Sequence, residues 1–326
     1  MNFLKVYKNK LLKGMLLLFL VLMLFYPASS FRGASSGLLL WFHNVLPNLL
    51  PFIIVSNLMV RLNITKQISK VFHPILGRLF RVSGEGCYPI VIGFLSGIPM
   101  GAKASADLVS EHRITRKEGQ FLLTMCNNAS PMFIIGYIAI TQLKLPQIKY
   151  ALFVIIYGSA ILGALFYRFF FDRFSKSNDS LPEKEKDKQA LQPSSGRFRF
   201  ELIDSSIMNG FEIVTRIGGY IILFSILAQI MKDAGPGSGI MKAVLMGILE
   251  ITTGISQICS LSIDTPMKIV LVTVLTSFGG FSGIAQTKSV LQDTRLSMKS
   301  YLFVKILSAA IAILLSLLYV TLFPVP

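Results

Sequence analysis

Charged side chains make up 15% of this 326-residue chain, against about a quarter in an ordinary soluble domain. Acids are the scarcer sign, 16 Asp and Glu against 32 Lys and Arg, for a net charge of +16. Histidine and cysteine are rarer still, at three each. His43, His73 and His112 share no spacing, so no metal site is expected. Cys87, Cys126 and Cys259 lie far apart in apolar surroundings with no CxxC pair, which excludes a disulfide framework and leaves small buried hydrophobes. There is no HExxH and no Walker A loop, so neither a zinc protease nor a nucleotide-driven pump is indicated, and no cofactor is implied. A basic excess in a soluble protein would suggest nucleic acid, but no zinc-finger or helix-turn-helix spacing is present.

What the chain does have is apolar runs. Charge-free stretches cover 14–31, 86–102, 119–143, 150–167, 269–287 and 306–324, and 33–60 holds only His43. Several approach or exceed the roughly 20 residues that a helix needs to cross the hydrocarbon of a bilayer. The basic residues fall between these runs, where the positive-inside rule places them in the cytoplasm. The expectation is an all-α polytopic membrane protein, integral and multi-pass, with the lipid bilayer as its surroundings. Lys5, Lys8, Lys10 and Lys13 precede an apolar run that ends in PASS (27–30), a pattern resembling a signal peptide with a small-residue cleavage site. An uncleaved first span is the expectation, since the remaining runs require insertion in any case.

The pattern divides the chain into four parts: 1–36, a basic segment and first transmembrane helix; 37–171, a first membrane repeat; 172–200, a charged, Pro/Ser-containing flexible linker; and 201–326, a second membrane repeat. In the first repeat, Pro47 and Pro51 can kink or break a helix. The stretch 61–81 carries Ile64, Ile68, Val71, Ile75 and Leu79 at three- and four-residue steps among basic residues, an amphipathic helix along the cytoplasmic interface. Residues 87–110 read as a re-entrant hairpin or broken helix, followed by crossings at 119–143 and 148–171. The second repeat has an amphipathic start at 200–216, a span at 217–231, the stretch 238–263, a broken segment at 269–287 and a last span at 300–322.

Two glycine-rich polar breaks interrupt the apolar runs: GIPMGAK (97–103) and GGFSGIAQ (279–286). A shift of 182 positions lays Gly97 on Gly279, Gly101 on Gly283, Arg113 on Arg295, Lys117 on Lys299 and Phe121 on Phe303. Paired interruptions in two halves of a hydrophobic chain point to inverted structural repeats with broken or re-entrant helices and a transporter site between them. The candidate site residues follow from that placement. Gly97, Pro99 and Gly101 shape the first break, and Lys103 adds a full charge to a helix start that already attracts anions. Asn127, Asn128 and Ser130 sit inside a charge-free run of 25 residues, where side-chain amides must find partners. Glu250 is the only acid within 243–263 and is a proton carrier, cation ligand or partner for Lys103, with Thr252 and Thr253 beside it and Glu85 as a counterpart in the first half. Gly279, Ser282, Gly283 and Gln286 form the second break. Without a positive charge in that break, the ligand is expected to be asymmetric, anionic towards one side.

An enzyme is not expected. GFSG (280–283) fits the serine motif of rhomboid-type intramembrane proteases, but the histidine base of those enzymes follows the serine, and no histidine occurs here after His112.

Taken together, PNLLPF (47–52), GIPMGAK (97–103), NNASPMF (127–133) and LEITTG (249–254) resemble the sporulation integral membrane proteins of the YlbJ (SpoVV) type. These lie in the wider Gate-domain or nucleoside-recognition superfamily, related to concentrative nucleoside transporters, and the resemblance runs from about 37 to 322. It implies a role in endospore formation, a place in the bacterial cell membrane or outer forespore membrane, and movement of dipicolinic acid, a small aromatic dianion. The Gate-domain name alone implies nucleosides, and the residues are compatible with either. The expectation is therefore alternating-access transport of a small anionic solute, coupled to H+ or Na+ or driven by the solute gradient. The alternatives are a permease for nucleosides or other small solutes, and a spore membrane assembly protein that moves nothing.

Overall fold

The computed structural model describes residues 2–62, 64–172, 200–235, 237, 239–291 and 294–323. Among them every regular element is helical. The linker expected at 172–200 lies outside the described residues except at its two ends.

The first helix, α1 (Asn2–Phe25), does not run through to the end of its apolar stretch. Pro27 opens a second helix, α2 (Pro27–Leu40), and the chain bends by 106° between them. Proline is well suited to a first helical position, because its missing N–H is not needed there. A π-helical turn, Trp41–Val45, joins α2 to α3 (Leu46–Arg61). Pro47 and Pro51 therefore do not break the chain. The ring of Pro47 would meet the carbonyl of residue 43, and the helix widens to π where that contact falls. The interfacial stretch divides into α4 (Thr65–Phe72), a π turn (His73–Gly77) and α5 (Arg78–Phe80). Val71, Ile75 and Leu79 are each about two-thirds exposed, leaving the apolar stripe of this segment outward.

Next, α6 (Cys87–Ser96) and α7 (Met100–Ser110) fold back on each other as a hairpin. The reversal uses Gly97 at φ +82° and a cis Ile98–Pro99 peptide. The arms approach so closely that a Cβ on Gly93 would lie 2.8 Å from the Cα of Gly101. Helix α8 (Arg116–Cys126) ends at Asn127, and after an irregular stretch a π helix (Phe133–Gln142) and α9 (Lys149–Tyr167) complete the first half.

In the second half, the amphipathic start and the span merge into one 35-residue helix, α10 (Phe200–Ala234), which packs along α2 and α3. A second hairpin follows, α11 (Gly239–Leu249) and α12 (Ile251–Ser260), with Glu250 at its tip. Here a Cβ on Gly254 would lie 2.1 Å from the Cα of Gly247. Helices α13 (Thr265–Phe278) and α14 (Gly280–Val290) run on across Gly279 as one span-length unit, and α15 (Met298–Leu322) packs against α9 and α13.

The order in each half is thus hairpin, broken helix, span. In that order Asn127 stands opposite Gly279, and the hairpin tip at Gly97–Pro99 stands opposite Glu250. This corrects the 182-position match. It pairs a hairpin tip with a break in a helix that continues, because glycine with positive φ serves both. The outcome differs with ψ, −161° at Gly97 and 0° at Gly279.

Four helices, Pro146–Phe170, Phe200–Ala234, Thr265–Val290 and Met298–Leu322, are long and apolar enough to cross a membrane, with the bent α1–α2 pair as a fifth candidate. The outward surface of α1, α9 and α15 is rich in Leu and Phe, as lipid-facing helices require.

The glycine contacts give a first prediction. Gly254→Val should lower stability by about 3 kcal/mol or more, since neither backbone can yield, whereas Gly219→Ala, with nothing within 4 Å, should stay within about 0.5 kcal/mol. Thermal unfolding of the detergent-solubilised protein checks both, and equal melting of Gly254→Val and wild type would refute the close hairpin.

Candidate functional site

A cavity of about 650 Å³ opens where the two hairpin tips meet the two helix breaks. Hairpin one contributes Ser96 and Ile98, and the break after α8 contributes Ala129, Ser130, Met132 and Phe133. Hairpin two supplies Glu250, Ile251 and Thr252, and the break at Gly279 supplies Gly279, Ser282, Gly283 and Gln286. The π helix adds Gly136, Tyr137, Ile140 and Thr141, while Leu40, Asn44, Val45, Leu49 and Ile221 close the far wall. Three hydrogen bonds tie these parts together. The Tyr157 hydroxyl donates to the carbonyls of Phe94 (2.9 Å) and Ala129 (3.0 Å), sharing its proton between them, and Tyr137 donates to the Thr252 carbonyl (3.0 Å).

Of the residues expected from sequence, Ser130, Glu250, Thr252, Gly279, Ser282, Gly283 and Gln286 line this cavity. Glu250 is 3% exposed and is the N-cap of α12. One carboxylate oxygen accepts from the Thr253 backbone N–H (2.8 Å) and hydroxyl (2.9 Å), so its charge is met by the first turn of α12. Gln286 donates to the Ser282 hydroxyl across one turn (3.1 Å), which turns both side chains to the same face. Helix α14 has no side-chain cap, and Ser282 and Gly283, in its first turn, form part of the lining.

Gly97, Pro99, Gly101, Lys103, Asn127, Asn128 and Thr253 lie beside the cavity rather than on it. Gly97 packs against Ser130, and Pro99 is the N-cap of α7. Gly101 lies against the Cys126 carbonyl. Lys103 does not face the break, because its ammonium pairs with Asp107 one turn on at 2.5 Å. Asn127 fills the unwound turn, accepting from Ala102 N–H (3.3 Å) and donating to the Thr287 (2.7 Å) and Tyr301 (2.9 Å) hydroxyls. Asn128 donates to the Met125 carbonyl (2.7 Å) and accepts from the Lys305 ammonium (2.8 Å). Glu85 pairs with Arg113 at 2.5 Å, away from Glu250.

Two residues outside the sequence-derived set belong here. Ser96 lines the cavity at 4% exposure, with a buried hydroxyl that has no partner among the described residues. A buried unpaired hydroxyl is costly; Ser308 is the other one among the described residues, but only Ser96 is on the cavity. Nothing distinguishes it in the sequence from other membrane serines. Lys305 is 1% exposed, behind the α8 break. It is the only charge between Ser300 and Phe323, so in the sequence it reads as the border of an apolar run.

No family model matches the chain, and no solved structure matches it. The chain is 26% identical to the sporulation integral membrane protein YlbJ of Bacillus subtilis (strain 168), over 93% of this chain and 81% of that protein. The likeness to YlbJ-type sporulation proteins read from the motifs therefore holds over nearly the whole length. With its span-length helices, the chain is a multi-pass integral membrane protein.

The capping role of Glu250 is separable from any contact with a solute. Glu250→Ala should cost about 1 kcal/mol of stability by uncapping α12, and Glu250→Asp should recover most of it. Unfolding midpoints of the three proteins measure this, and an Ala variant as stable as wild type would remove the cap from the account.

Proposed function

We propose that the chain is a sporulation membrane transporter that carries a small anionic solute, dipicolinic acid foremost, across the outer forespore membrane by alternating access. The observation that supports this reading is the cavity itself: two hairpin tips and two helix breaks, drawn from both halves, border one mostly apolar space of about 650 Å³ into which a few polar groups, among them Ser96, Ser130, Glu250, Ser282 and Gln286, are set. That volume suits a small organic solute. Irregular backbone at membrane depth is stable only where protein or a wet cavity satisfies it, and a site shared by two halves can be opened to either side by rocking one against the other.

The preference for an anion rests on how the helix starts are used. The first turn of α7 receives Asn127, and that of α12 receives Glu250. Helix α14 has no side-chain cap and opens onto the cavity through Ser282 and Gly283, so a carboxylate can take its free N–H groups. The unpaired hydroxyl of Ser96 lies on the same cavity. With no nucleotide-binding loop in the sequence, transport would run on an H+ or Na+ gradient or on the solute's own. A second reading, a nucleoside or other neutral solute, is favoured by one observation: Glu250 also lines the cavity, and a carboxylate there would accept from sugar hydroxyls.

Binding to the purified protein separates these readings. Dipicolinate should raise the melting temperature in proportion to its concentration, and Gln286→Ala should weaken it by roughly fivefold, the worth of one hydrogen bond. A uridine response without a dipicolinate response would transfer the assignment to the neutral class. If neither binds, and Ser282→Ala, Gln286→Ala and Glu250→Gln all support sporulation at normal abundance, the protein is an assembly component instead.

A further inference from the structure

Lys305 belongs to none of the devices described so far. It stands on α15, inside the span Met298–Leu322, and is 1% exposed. A lysine near the end of a membrane helix ordinarily reaches along its stem to the headgroups, but this one is turned inward. Its ammonium donates to the Asn128 side-chain oxygen at 2.8 Å and lies 5.7 Å from the centroid of the Tyr301 ring. Among the described residues no carboxylate comes within 4.0 Å of it. The other deep charges have their offsets: Lys103 has Asp107, and Glu250 has the first turn of α12. Lys305 has an amide and a ring face.

Burying a cation without a matching anion is expensive, and removing such a charge in favour of an apolar side chain is often neutral or stabilising. A merely structural role at this position would be served by a neutral donor. The position also borders the site. Asn128, which holds the ammonium, is followed directly by Ala129 and Ser130 of the cavity lining, and Asn127 holds Thr287, the neighbour of the cavity residue Gln286. An ammonium in a low-dielectric wall acts on a charge in the cavity without touching it, because little water lies between to screen them.

We propose that Lys305 is a specificity-determining residue of the transport site, a buried amine behind the α8 break whose cationic form takes the solute as its counter-ion. This deepens the transporter reading and rests on it. Lys305 acts at one remove, through the wall formed by Asn128 and Ala129, and so raises affinity for negative charge rather than for any particular ring or hydroxyl.

The test compares dipicolinate with pyridine-2,6-dicarboxamide, which has the same ring and substitution but no charge. Affinities of both are measured by calorimetry on the full-length protein in detergent, for wild type, Lys305→Met and Asn128→Asp. The aspartate variant converts the 2.8 Å hydrogen bond into an ion pair, so it cancels the charge while retaining the lysine and its contact, at the loss of the donation to the Met125 carbonyl, a local change that both probes report alike. Wild type should prefer the dianion by roughly tenfold or more. Both variants should lose most of that preference, with the diamide changing by less than about twofold. If Lys305→Met does not fold, Asn128→Asp decides alone. A preference that survives the variants, or equal weakening of both probes, would mean that Lys305 is only a strut. Wild-type protein that binds the diamide alone overturns the charge assignment and leaves a site for neutral solutes. Wild-type protein that binds neither probe removes the dipicolinate assignment, and this inference with it, while leaving transport of another solute to the binding and sporulation tests above.

Discussion

A helix that stops inside a bilayer leaves N–H and C=O groups with no water to meet them, and the rest of this structure depends on how those groups are satisfied. The solution is a set of side chains at the breaks that satisfy helix ends, Asn127 on a neighbouring helix and Glu250 on its own. Asn127 leaves α8 yet accepts from the first turn of α7 through Ala102, and it reaches across the halves to Thr287 on α14 and Tyr301 on α15. Glu250 closes the start of α12. Once these ends are filled, the uncapped start of α14 stands out as the remaining polar opening on the cavity. The same arrangement that makes the breaks tolerable therefore leaves the start of α14 without a side-chain cap.

The hairpins obey a second constraint. Two helix arms of about ten residues bury little area, and in lipid there is no hydrophobic gain from pressing them together, so their association depends on close backbone packing. Glycine at the crossing provides it, with Gly93 against Gly101 in one hairpin and Gly247 against Gly254 in the other. Close arms make a narrow tip, and a narrow tip lets Ile98 and Glu250 enter the space between the halves. Packing at the crossing thus sets the position of the residues at the tip.

These devices were unequally legible in the sequence. The broken stretch at Asn127–Ser130 was readable because two amides and a proline in a charge-free run have few other uses. Glu250 was readable as a lone acid. The pairing of the two halves was misread, since Gly97 and Gly279 share flanking basic residues and a positive φ. What separates them is ψ and the partner each arm finds, neither of which a short motif encodes. Hairpin two was hidden for a related reason. Its signal is a single acid between apolar helices, with no proline to mark a reversal and with its glycines, Gly247 and Gly254, set back from the tip. Lys103 was assigned to the cavity because it follows a helix start. Asp107, four residues on, was the available counter-signal, as opposite charges at that spacing meet on a helix face. Ser96 carried no signal at all, because what marks it is a missing partner and not a residue type.

The two lysines near the breaks show how function divides from residue type. Lys103 is attached to the more conspicuous motif, but an aspartate on its own helix neutralises it, and the pair remains partly exposed. Its field is short-ranged for both reasons. Lys305 lies in an unremarkable apolar run, but among the described residues no acid pairs with it, and it is almost wholly buried. In a medium that screens little, electrostatic influence follows the absence of a counter-charge more than nearness to a glycine-rich motif. A cation-bearing wall on one side and the capped carboxylate of Glu250 on the other make the cavity electrically polar along one direction. Under the transporter reading, a solute with its charges on one side of a ring, as in a 2,6-dicarboxylate, would fit that polarity better than an ion charged at opposite ends. On that reading, Lys305 behind the α8 break would orient the solute as well as select it.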